Sequence, residues 1–460
     1  MKALFPLPLI YDGNESRFLQ RDGARFAAEL NRQGHTGIKL IIDDGSQYPK
    51  PESPLLDIAT WEEWTSPDYW KSTNSDLVLL YGGTSKKLLP VAKAIKKAGI
   101  PLFLKMDVSM GALPYWHTDF WRLLRTVYHH THQNHNMVFS TAKSIAVRLK
   151  EMFSIGKRWL PEYFSLFEVI TVESDYALEN LKSWLSHRGF SHLADRVKLL
   201  PHPIPDSFTF DPNLHVKNKT IIAVAQNWTN PLKGGKLLAN AIARVLVQRT
   251  DYSAVIIGGG SDAIINRVKK KNTSLSSRLT TFPKIDSDKT KDLYCSAQIL
   301  ITTSGSEGWP LVVSEAACCG CSIVFPPELK YLQCFEKSRG GTMAKWRNTK
   351  QLSLALLAEC EAWDTSERSP VETSQYWGKL CHTSNLVNTL MSWTRSEQAD
   401  PCPTEEITFC RQRCVPLNRL ILHANLPHRK RLPLLKLIVA YAKILSLVRS
   451  SRRLTLLLLN

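Results

Sequence analysis

Two glutamates, Glu307 and Glu315, stand eight residues apart around a Gly-Trp-Pro turn. An apolar run at residues 299–301 precedes the turn, and an alanine-rich apolar segment follows it and stops at Gly320. This pattern predicts a strand, a loop and a helix, with Pro310 at the first helical position, where a missing N–H costs nothing. In an open α/β sheet, ligands bind at the edge formed by the carboxyl ends of the strands, where such a loop lies. The N-terminus of the helix that follows attracts anions. The segment therefore suits a polyhydroxylated ligand that carries phosphate.

Apolar runs typical of buried strands alternate with amphipathic, helix-like segments over most of the chain. In the first half the strand runs include residues 38–42, 77–81 and 101–106, and a second series begins at residues 221–225. Strands that alternate with helices indicate parallel, doubly wound sheets. The predicted fold class is therefore α/β, with two Rossmann-like units.

Breaks in this alternation divide the chain into three predicted segments. A proline-rich run at residues 201–205, followed by a polar stretch, separates an N-terminal domain of residues 1–210 from a second domain of residues 211–395. The second domain is expected to end in one helix, over residues 374–393, that crosses back to the first domain. Residues 396–460 form a basic tail.

The segment around the two glutamates resembles the E-x7-E motif of retaining, GT-B-fold glycosyltransferases of the family 4 (glycosyl transferases group 1) type. Residues 293–297 are similar to the family's L-Y-x-x-A-D segment, and residues 315–324 to its E-A-x-A-C-G-x-P-V-V segment. The resemblance covers residues 219–395, is faint before them and is absent after them. The simpler alternative is a helix that carries two solvated glutamates.

The resemblance implies a GT-B fold, in which two Rossmann-like domains face a cleft, and a hexosyltransferase-type enzyme. Such an enzyme moves a sugar from a nucleotide sugar to a hydroxyl group with retention of configuration. By the same resemblance, Glu307 would hold hydroxyls of the transferred sugar and Glu315 would hold the ribose hydroxyls. The remaining donor-binding residues of this region would be Gly308, Trp309, Pro310, Leu311 and, against the nucleobase, Ile285.

A second loop, at residues 224–235, resembles the family's V-G-R…K-G segment, in which an arginine and a lysine hold the donor diphosphate. Lys233 and Gly234 match, whereas Gln226 or Asn227 stands in the place of the arginine. An amide such as that of Asn227 donates hydrogen bonds without charge. The diphosphate would then depend on Lys233, expected to be exposed in the empty cleft, and on the helix N-terminus. The alternative for Lys233 is an exposed lysine with no ligand.

The first domain is expected to supply the acceptor site and the catalytic environment. Gly23 lies in a segment that resembles the family's glycine loop near the donor phosphates. The family's histidine after a central strand has no alignable counterpart. Asp107, at the carboxyl end of a predicted strand, is the catalytic candidate, with His117 close to it in sequence, and Glu173 ends another strand.

Three further patterns each have two interpretations. Residues 258–263 fit G-x-G-x-x-A, a dinucleotide fingerprint or, as we prefer, a glycine turn needed for packing. The Asp-Ser-Asp triplet at residues 286–288 suggests either a divalent metal or, as we prefer, a helix cap. Histidines within residues 129–135 match a metal-binding helix face only in part. We therefore predict neither a bound metal nor a cofactor.

The ten cysteines all follow residue 294, and their single C-x-x-C spacing, Cys318 to Cys321, is expected to be buried rather than redox-active. A reduced, cytosolic setting fits this usage better than a disulfide framework. Residues 1–10 are apolar but interrupted by Pro6 and Pro8, so a first β-strand is expected there rather than a signal peptide.

Residues 407–460 of the tail account for more than half of the chain's net positive charge. Residues 407–460 carry eleven Lys or Arg and no acid, out of a net charge of +18. Lys436 and Lys443 interrupt the apolar run, and a mid-span lysine costs roughly 2.5–3.5 kcal/mol, which disfavours a transmembrane helix. We expect residues 427–460 to form a basic amphipathic helix on an anionic membrane, with packing on the domain's own surface as the alternative. Nucleic acid is not expected, because leucine and isoleucine, not stacking aromatics, separate the charges.

These observations support two hypotheses of function. The first is a glycosyltransferase that uses a nucleotide-sugar donor and a lipid-linked or saccharide acceptor in polysaccharide or glycolipid synthesis, in the cytoplasm or at the inner face of the membrane. The alternative is a non-catalytic, membrane- or polyanion-binding protein on a GT-B scaffold. Two departures from the family's pattern favour that alternative. Gln226 or Asn227 stands in the place of the arginine, and the family's histidine has no alignable counterpart.

Overall fold

The computed structural model describes residues 1–45, 48–83, 85–106, 159–187, 190–305, 307, 309–329 and 340–395. Within these ranges the chain forms two parallel β-sheets, one from residues 2–199 and one from residues 218–343. The catalytic candidate Asp107, the donor-site residue Gly308, the histidines of residues 117–135 and the basic tail lie outside the described residues.

The first sheet is formed by strands β1 (Lys2–Ile10), β2 (Thr36–Asp43), β3 (Leu56–Thr60), β4 (Leu77–Tyr81), β5 (Leu102–Lys105), β6 (Val169–Val172) and β7 (Val197–Leu199). Their order is β3-β2-β1-β4-β5-β6-β7, and all neighbours are parallel. Strands β4, β5 and β6 are buried along their whole length, as expected for a parallel sheet that is covered on both faces.

The second sheet is formed by β8 (Asn218–Asn227), β9 (Ser253–Gly259), β10 (Leu279–Phe282), β11 (Ala297–Ile301), β12 (Ser322–Phe325) and β13 (Gly341–Met343). Its order, β10-β9-β8-β11-β12-β13, repeats the winding of the first sheet. Each sheet therefore has a switch point beside its first strand, β1/β4 and β8/β11, where open α/β sheets bind ligands. The predicted pair of doubly wound, Rossmann-like sheets is confirmed.

Helices flank both sheets. The first sheet is accompanied by α1 (Glu15–Leu19), α2 (Asp22–Arg32), α3 (Trp61–Thr65), α4 (Pro67–Ser72), α5 (Leu88–Lys97), α6 (Trp159–Ser165) and α7 (Asp175–His187). The helices within and after the second sheet are α8 (Gly235–Gln248), α9 (Ser261–Lys269), α10 (Ser287–Ser296), α11 (Leu311–Cys318), α12 (Thr349–Asp364), α13 (Pro370–Cys381) and α14 (Thr383–Arg395). Of the helices in the described ranges, none is long and apolar enough to cross a membrane.

Strand β4 shows how the sequence builds two cores around one sheet. Val78 and Leu80 point to the layer that contains Ile95 of α5. Leu79 points to the opposite layer, where it meets Phe26 of α2. Alternate residues of a strand face opposite sides of the sheet, so an unbroken apolar run fills both layers.

The chain returns to the first sheet near its described end. Helix α13 packs in the core of the second sheet through Trp377, whereas Val387 and Leu390 of α14 pack against the first sheet. The single helix predicted over residues 374–393 is therefore wrong. His382 adopts an extended conformation (ψ 138°) between α13 and α14, which breaks the helix and redirects the chain.

The backbone at this break is held by the segment that links the two sheets. The Ile204 N–H donates to the Cys381 carbonyl at 2.8 Å, and the Thr383 N–H donates to the Ile204 carbonyl at 2.9 Å. The break between the helices leaves the Cys381 carbonyl and the Thr383 N–H without partners inside a helix, and Ile204 supplies a partner to each. Buried backbone groups require such partners. The domain boundaries near residues 210 and 395 stay a prediction.

The docking of α14 can be tested by removing one of its buried side chains. Leu390 is 2% exposed in the core of the first sheet, so Leu390→Ala should lower the free energy of unfolding by about 2–5 kcal/mol, measured by urea denaturation. Asn388 is exposed on the same helix, and Asn388→Ala should change it by less than about 0.5 kcal/mol. Equal effects of the two variants would contradict the docking of α14.

Candidate active site

Two loops meet at the carboxyl edge of the second sheet, at its switch point. One follows β8 and contains Lys233; the other follows β11 and contains Glu307. The Gly305 N–H donates to the Leu232 carbonyl at 2.8 Å, and Thr303 Oγ1 donates to the Lys233 carbonyl at 2.7 Å. The loops are therefore held together by hydrogen bonds to the backbone carbonyls of residues 232 and 233, which restricts the direction of the side chains they carry.

Lys233 and Glu307 form an ion pair across these loops. Lys233 Nζ donates to Glu307 Oε1 at 2.5 Å, and the two side chains are 26% and 17% exposed. Lys233 was expected to be exposed before a ligand binds; instead it is half-buried and paired. A cation and a carboxylate therefore stand side by side at the edge where ligands bind.

Arg347 joins the same two loops from a third segment. Its Nε donates to the Thr303 carbonyl at 2.9 Å, and its Nη2 donates to the Leu232 carbonyl at 3.3 Å. Gly305 leaves room for this guanidinium, because a Cβ there would lie 3.1 Å from Arg347 Cζ. Arg347 thus holds both loops and brings a positive charge to the site. Sequence reasoning missed it, since no motif contains it.

The helix α11 begins at Leu311, and Pro310 is its N-cap residue rather than its first helical residue as predicted. The N-cap residue Pro310 makes no side-chain hydrogen bond to this N-terminus, and the first N–H groups of such a helix end can bind an anion. Trp309, 7% exposed, donates through Nε1 to Ser314 Oγ at 2.7 Å and so anchors the turn. The helix ends at Cys318 and Gly320 (φ 77°) closes it, as the sequence predicted.

Ile285 and Leu311 are half-buried and pack against the same apolar cluster next to this turn. A nucleobase placed against Ile285 would thus have the start of α11 in its neighbourhood. The preferred interpretation of the Asp-Ser-Asp triplet is confirmed, because Asp286 is the N-cap of α10 and accepts from the Lys289 N–H at 2.7 Å.

The loop after β8 and the glycine turn after β9 also meet. Gly258 adopts φ 124°, and a Cβ there would lie 1.7 Å from the Ala225 carbonyl oxygen, so only glycine fits. The packing interpretation of this turn is thereby supported. Asn227, which is exposed, accepts from the Thr229 N–H at 2.9 Å through Oδ1, which leaves its amide group to donate.

Glu315, the other predicted donor-site carboxylate, lies in the second turn of α11 and is 14% exposed. Arg25 of α2, which belongs to the first sheet, places Nη2 3.6 Å from Glu315 Oε1. Burial raises the pKa of Glu315, and Arg25 opposes that rise. Since both residues lie near the N-termini of their helices, the carboxyl edges of the two sheets face each other here.

A buried charge network occupies the carboxyl edge of the first sheet. His202 bonds Asp22 through Nδ1, and its Nε2 lies 2.8 Å from Glu173 Oε1. Lys105, fully buried, donates to the Leu200 carbonyl at 2.5 Å and lies 4.0 Å from Glu173. Glu173 thus lies at this edge, as predicted, while His202 was read from the sequence only as part of a proline-rich linker.

The network determines the charge of its members. Burial would lower the pKa of His202, but Asp22 and Glu173 raise it to about 10, so the imidazole is protonated at neutral pH. Burial would raise the pKa of Asp22, but His202, Lys105 and Arg25 bring it below its ordinary value. Gly23, next to Asp22, is buried against Phe5, and its contact with a ligand stays a prediction.

The cysteines of the C-x-x-C spacing are buried free thiols, as predicted, at Cys318 and Cys321. In the ranges that the structure describes, His, Cys, Asp and Glu form no group of three or more arranged to hold a metal. Those ranges exclude the histidines of residues 129–135 and the tail.

Residues 218–358, which contain Lys233, Glu307, Glu315 and Arg347, match a family model described as glycosyl transferases group 1. This part of the chain is similar to glycosyl transferases group 1. Among curated proteins, the phosphatidylinositol N-acetylglucosaminyltransferase gpi3 subunit of Schizosaccharomyces pombe is 27% identical over 131 residues. That match covers 28% of this chain and 28% of the relative, so the chain spans little more than a quarter of the relative's length.

Solved structures of other proteins are similar to most of the chain. HepE of Anabaena in complex with UDP has a TM-score of 0.52 at 13% identity, over 85% of this chain and 99% of that one. A glycosyltransferase of Rickettsia africae has a TM-score of 0.55 at 13% identity, over 86% and 97% of the two chains. This likeness concerns the fold, which is GT-B. The predicted resemblance to group 1 glycosyltransferases is confirmed.

The charge of His202 makes a prediction about stability at alkaline pH. A pKa of about 10 in the folded chain, against 6.5 for a free histidine, means that the charged imidazole stabilises the fold fully below pH 6.5. That contribution decreases as the pH rises toward 10, by about 1.4 kcal/mol per pH unit. Urea denaturation of the unaltered protein between these pH values should show the decrease.

The His202→Gln variant isolates this contribution. It should be less stable at neutral pH and should lose stability less steeply toward alkaline pH, because glutamine has no proton to release. His192 is exposed, so His192→Gln should keep the slope of the unaltered protein. An identical slope in His202→Gln and the unaltered protein would show that the network does not hold the imidazole charged.

Proposed function

We propose that this protein is a glycosyltransferase that takes a sugar from a nucleotide-sugar donor and passes it to an acceptor hydroxyl group. The observation that carries the proposal is the meeting of Lys233 and Glu307, 2.5 Å apart, on two loops at the switch point of the second sheet. A cation beside a carboxylate suits a donor in which a diphosphate adjoins a hydroxyl-rich sugar. The group 1 match of residues 218–358 and the UDP in the similar HepE structure support the same class of donor.

Each residue of this site has a proposed part in transfer. Lys233 stabilises the negative charge that develops on the leaving diphosphate, and the N-terminus of α11 adds its partial positive charge. Glu307 accepts hydrogen bonds from hydroxyls of the transferred sugar, and Glu315 accepts them from the ribose. Ile285 packs against the nucleobase.

The remaining proposed residues of the site include both neutral and charged groups. The amide of Asn227 donates to the diphosphate in the place where the family has an arginine, and Arg347 supplies positive charge close to the Lys233 loop. We include Gly308, Trp309, Pro310, Leu311 and Gly23 as donor contacts and Asp107 as the catalytic group of the first domain. We also propose that the transferred sugar retains its anomeric configuration, as the resemblance implies.

The acceptor is proposed to be lipid-linked or saccharide, in polysaccharide or glycolipid synthesis at the cytoplasmic face of a membrane. Eleven Lys or Arg without an acid in residues 407–460 support attraction to an anionic surface. A lipid acceptor also accords with the similarity to a phosphatidylinositol N-acetylglucosaminyltransferase subunit. The first domain, residues 1–210, would bind this acceptor and residues 211–395 the donor.

The proposal is tested by incubating the full-length protein with a panel of nucleotide sugars and measuring released nucleoside diphosphate and thermal stabilisation. At least one donor should give both signals. Lys233→Ala should lower turnover of that donor roughly a hundredfold while the melting temperature stays close to that of the unaltered protein. Lys270→Ala removes an exposed charge just after the far end of α9 and should leave turnover unchanged.

The other outcomes favour different conclusions. Full turnover in Lys233→Ala would mean that the diphosphate is held elsewhere. A protein that responds to no donor would instead favour the non-catalytic, polyanion-binding alternative, which the uncharged residues Gln226 and Asn227 support.

The membrane part of the proposal has its own test. Replacing Arg429, Lys430 and Arg431 with glutamine should weaken co-sedimentation with anionic vesicles about a hundredfold, since each charge contributes about 1 kcal/mol near such a surface. Added salt should weaken binding of the unaltered chain in the same way. The matched control replaces Lys269, Lys270 and Lys271 with glutamine. If both triple variants bind equally well, the tail is not the membrane contact.

A further inference from the structure

Arg25 occupies an unusual place for a residue of the first sheet's helix layer, because it reaches the donor-site helix of the second sheet. Its Nη1 donates to the Pro203 carbonyl at 2.7 Å, and its Nη2 lies 3.6 Å from Glu315 Oε1. The Arg25 and Glu315 side chains are 17% and 14% exposed. The pair therefore joins the two sheets in a place with little solvent to screen it.

The separation of 3.6 Å has a chemical consequence. It is short enough for an ion pair but longer than a hydrogen bond. Arg25 thus lends charge to Glu315 while engaging its carboxylate only weakly, at Oε1. Both oxygens of Glu315 stay able to accept hydrogen bonds from a ligand with two neighbouring hydroxyl groups.

The other titratable groups around Glu315 carry no compensating charge. Burial raises the pKa of Tyr294 on α10 and of Cys318 on α11 well above their ordinary values, so both are neutral. Burial also raises the pKa of Cys381 on α13 to about 12. Asp206, which acts on Cys318, is acidic and would oppose a second negative charge.

Lys105 and the protonated His202 are also cations at this edge, but Lys105 acts on Cys381 and His202 on Asp22, and neither acts on Glu315. Among the described residues, Arg25 is therefore the cation that faces the Glu315 carboxylate. Without it, burial would favour the protonated carboxyl, which donates one hydrogen bond and accepts more weakly. A protonated Glu315 would hold two ribose hydroxyls more weakly than the carboxylate does.

We propose that Arg25 is a positioning residue of the nucleotide site, which from the opposite sheet keeps Glu315 ionised and ready to accept both ribose hydroxyls. This inference rests on the proposed nucleotide site. It assigns to the first domain a part in donor binding that does not require Arg25 to touch the donor. It also makes the ionisation of a donor-site residue depend on the juxtaposition of the two sheets.

The test measures nucleotide affinity against pH. Calorimetry with UDP, GDP and ADP, between about pH 5.5 and pH 9, identifies the nucleotide that the unaltered protein binds. Arg25→Gln should weaken that nucleotide about tenfold or more on the acidic side and should approach the unaltered affinity toward alkaline pH. The sign follows because a carboxylate without its cation is ionised only at higher pH.

Three variants separate this role from a merely structural one. Arg25→Lys keeps the charge and should restore most of the acidic-side affinity. Arg32 lies on the same helix and pairs with Glu29 instead, so Arg32→Gln should leave the pH profile unchanged. In a Glu315→Gln background, Arg25→Gln should add no further pH dependence, because the group that titrates is gone.

Two results would overturn the inference. A loss of affinity in Arg25→Gln that is equal at every pH would mean that Arg25 contacts the nucleotide directly. An unchanged profile would mean that Glu315 does not depend on it. A melting curve of each variant shows whether the protein is folded under the conditions of the measurement.

A second readout needs no nucleotide and so separates this inference from the proposed function. Infrared difference spectra near neutral pH should show a protonated-carboxyl band in Arg25→Gln that disappears in the double variant with Glu315→Gln. That band supports the role of Arg25 even if no nucleotide binds, in which case only the proposed donor site fails. Absence of the band, with both proteins folded, overturns the inference.

Discussion

The direction of the strands places the chemistry of this protein. Neighbouring strands are parallel in both sheets, so every connection that leaves a strand's carboxyl end begins at the same edge. In each sheet the order of the strands reverses beside the first strand, β1 or β8. The connections that leave the strands on the two sides of this point diverge, and an opening lies between them. Lys233 and Glu307 come from connections on the two sides of the second opening, and His202 and Glu173 gather at the edge of the first sheet. The order in which the strands are connected therefore determines which of these groups lie close together.

Charge compensation is the second constraint on this edge. A buried ion is stable only when a partner of opposite charge or hydrogen bonds replace its water. Glu307 faces Lys233, Glu315 faces Arg25, and His202 stands between Asp22 and Glu173. A ligand that binds here must therefore exchange one set of charged contacts for another. A donor with a diphosphate and vicinal hydroxyls offers the groups for such an exchange.

The positive charge around the site comes from several segments of the fold. Gln226 and Asn227 bring no charge to the loop after β8, yet two arginines from other segments lie around the site. Arg347 bonds the carbonyls of both site loops, and Arg25 reaches Glu315 from the first sheet. Arg347 and Arg25 therefore bring positive charge to this edge, which is compatible with the proposed transfer of a sugar.

The sequence by itself determined the elements and the local features of the site. Apolar runs revealed the strands, the Gly-Trp-Pro turn revealed the start of α11 to within one residue, and Asp286 was recognised as a helix cap. These features depend on a few consecutive residues, so local sequence suffices to predict them. The tertiary structure decided which distant charges meet. Arg25 with Glu315, Arg347 with the Lys233 loop, and His202 with Asp22 depend on how helices and loops dock across two sheets. No motif or residue spacing in the sequence reveals such docking, because the contacting residues are separated along the chain by whole strands and helices.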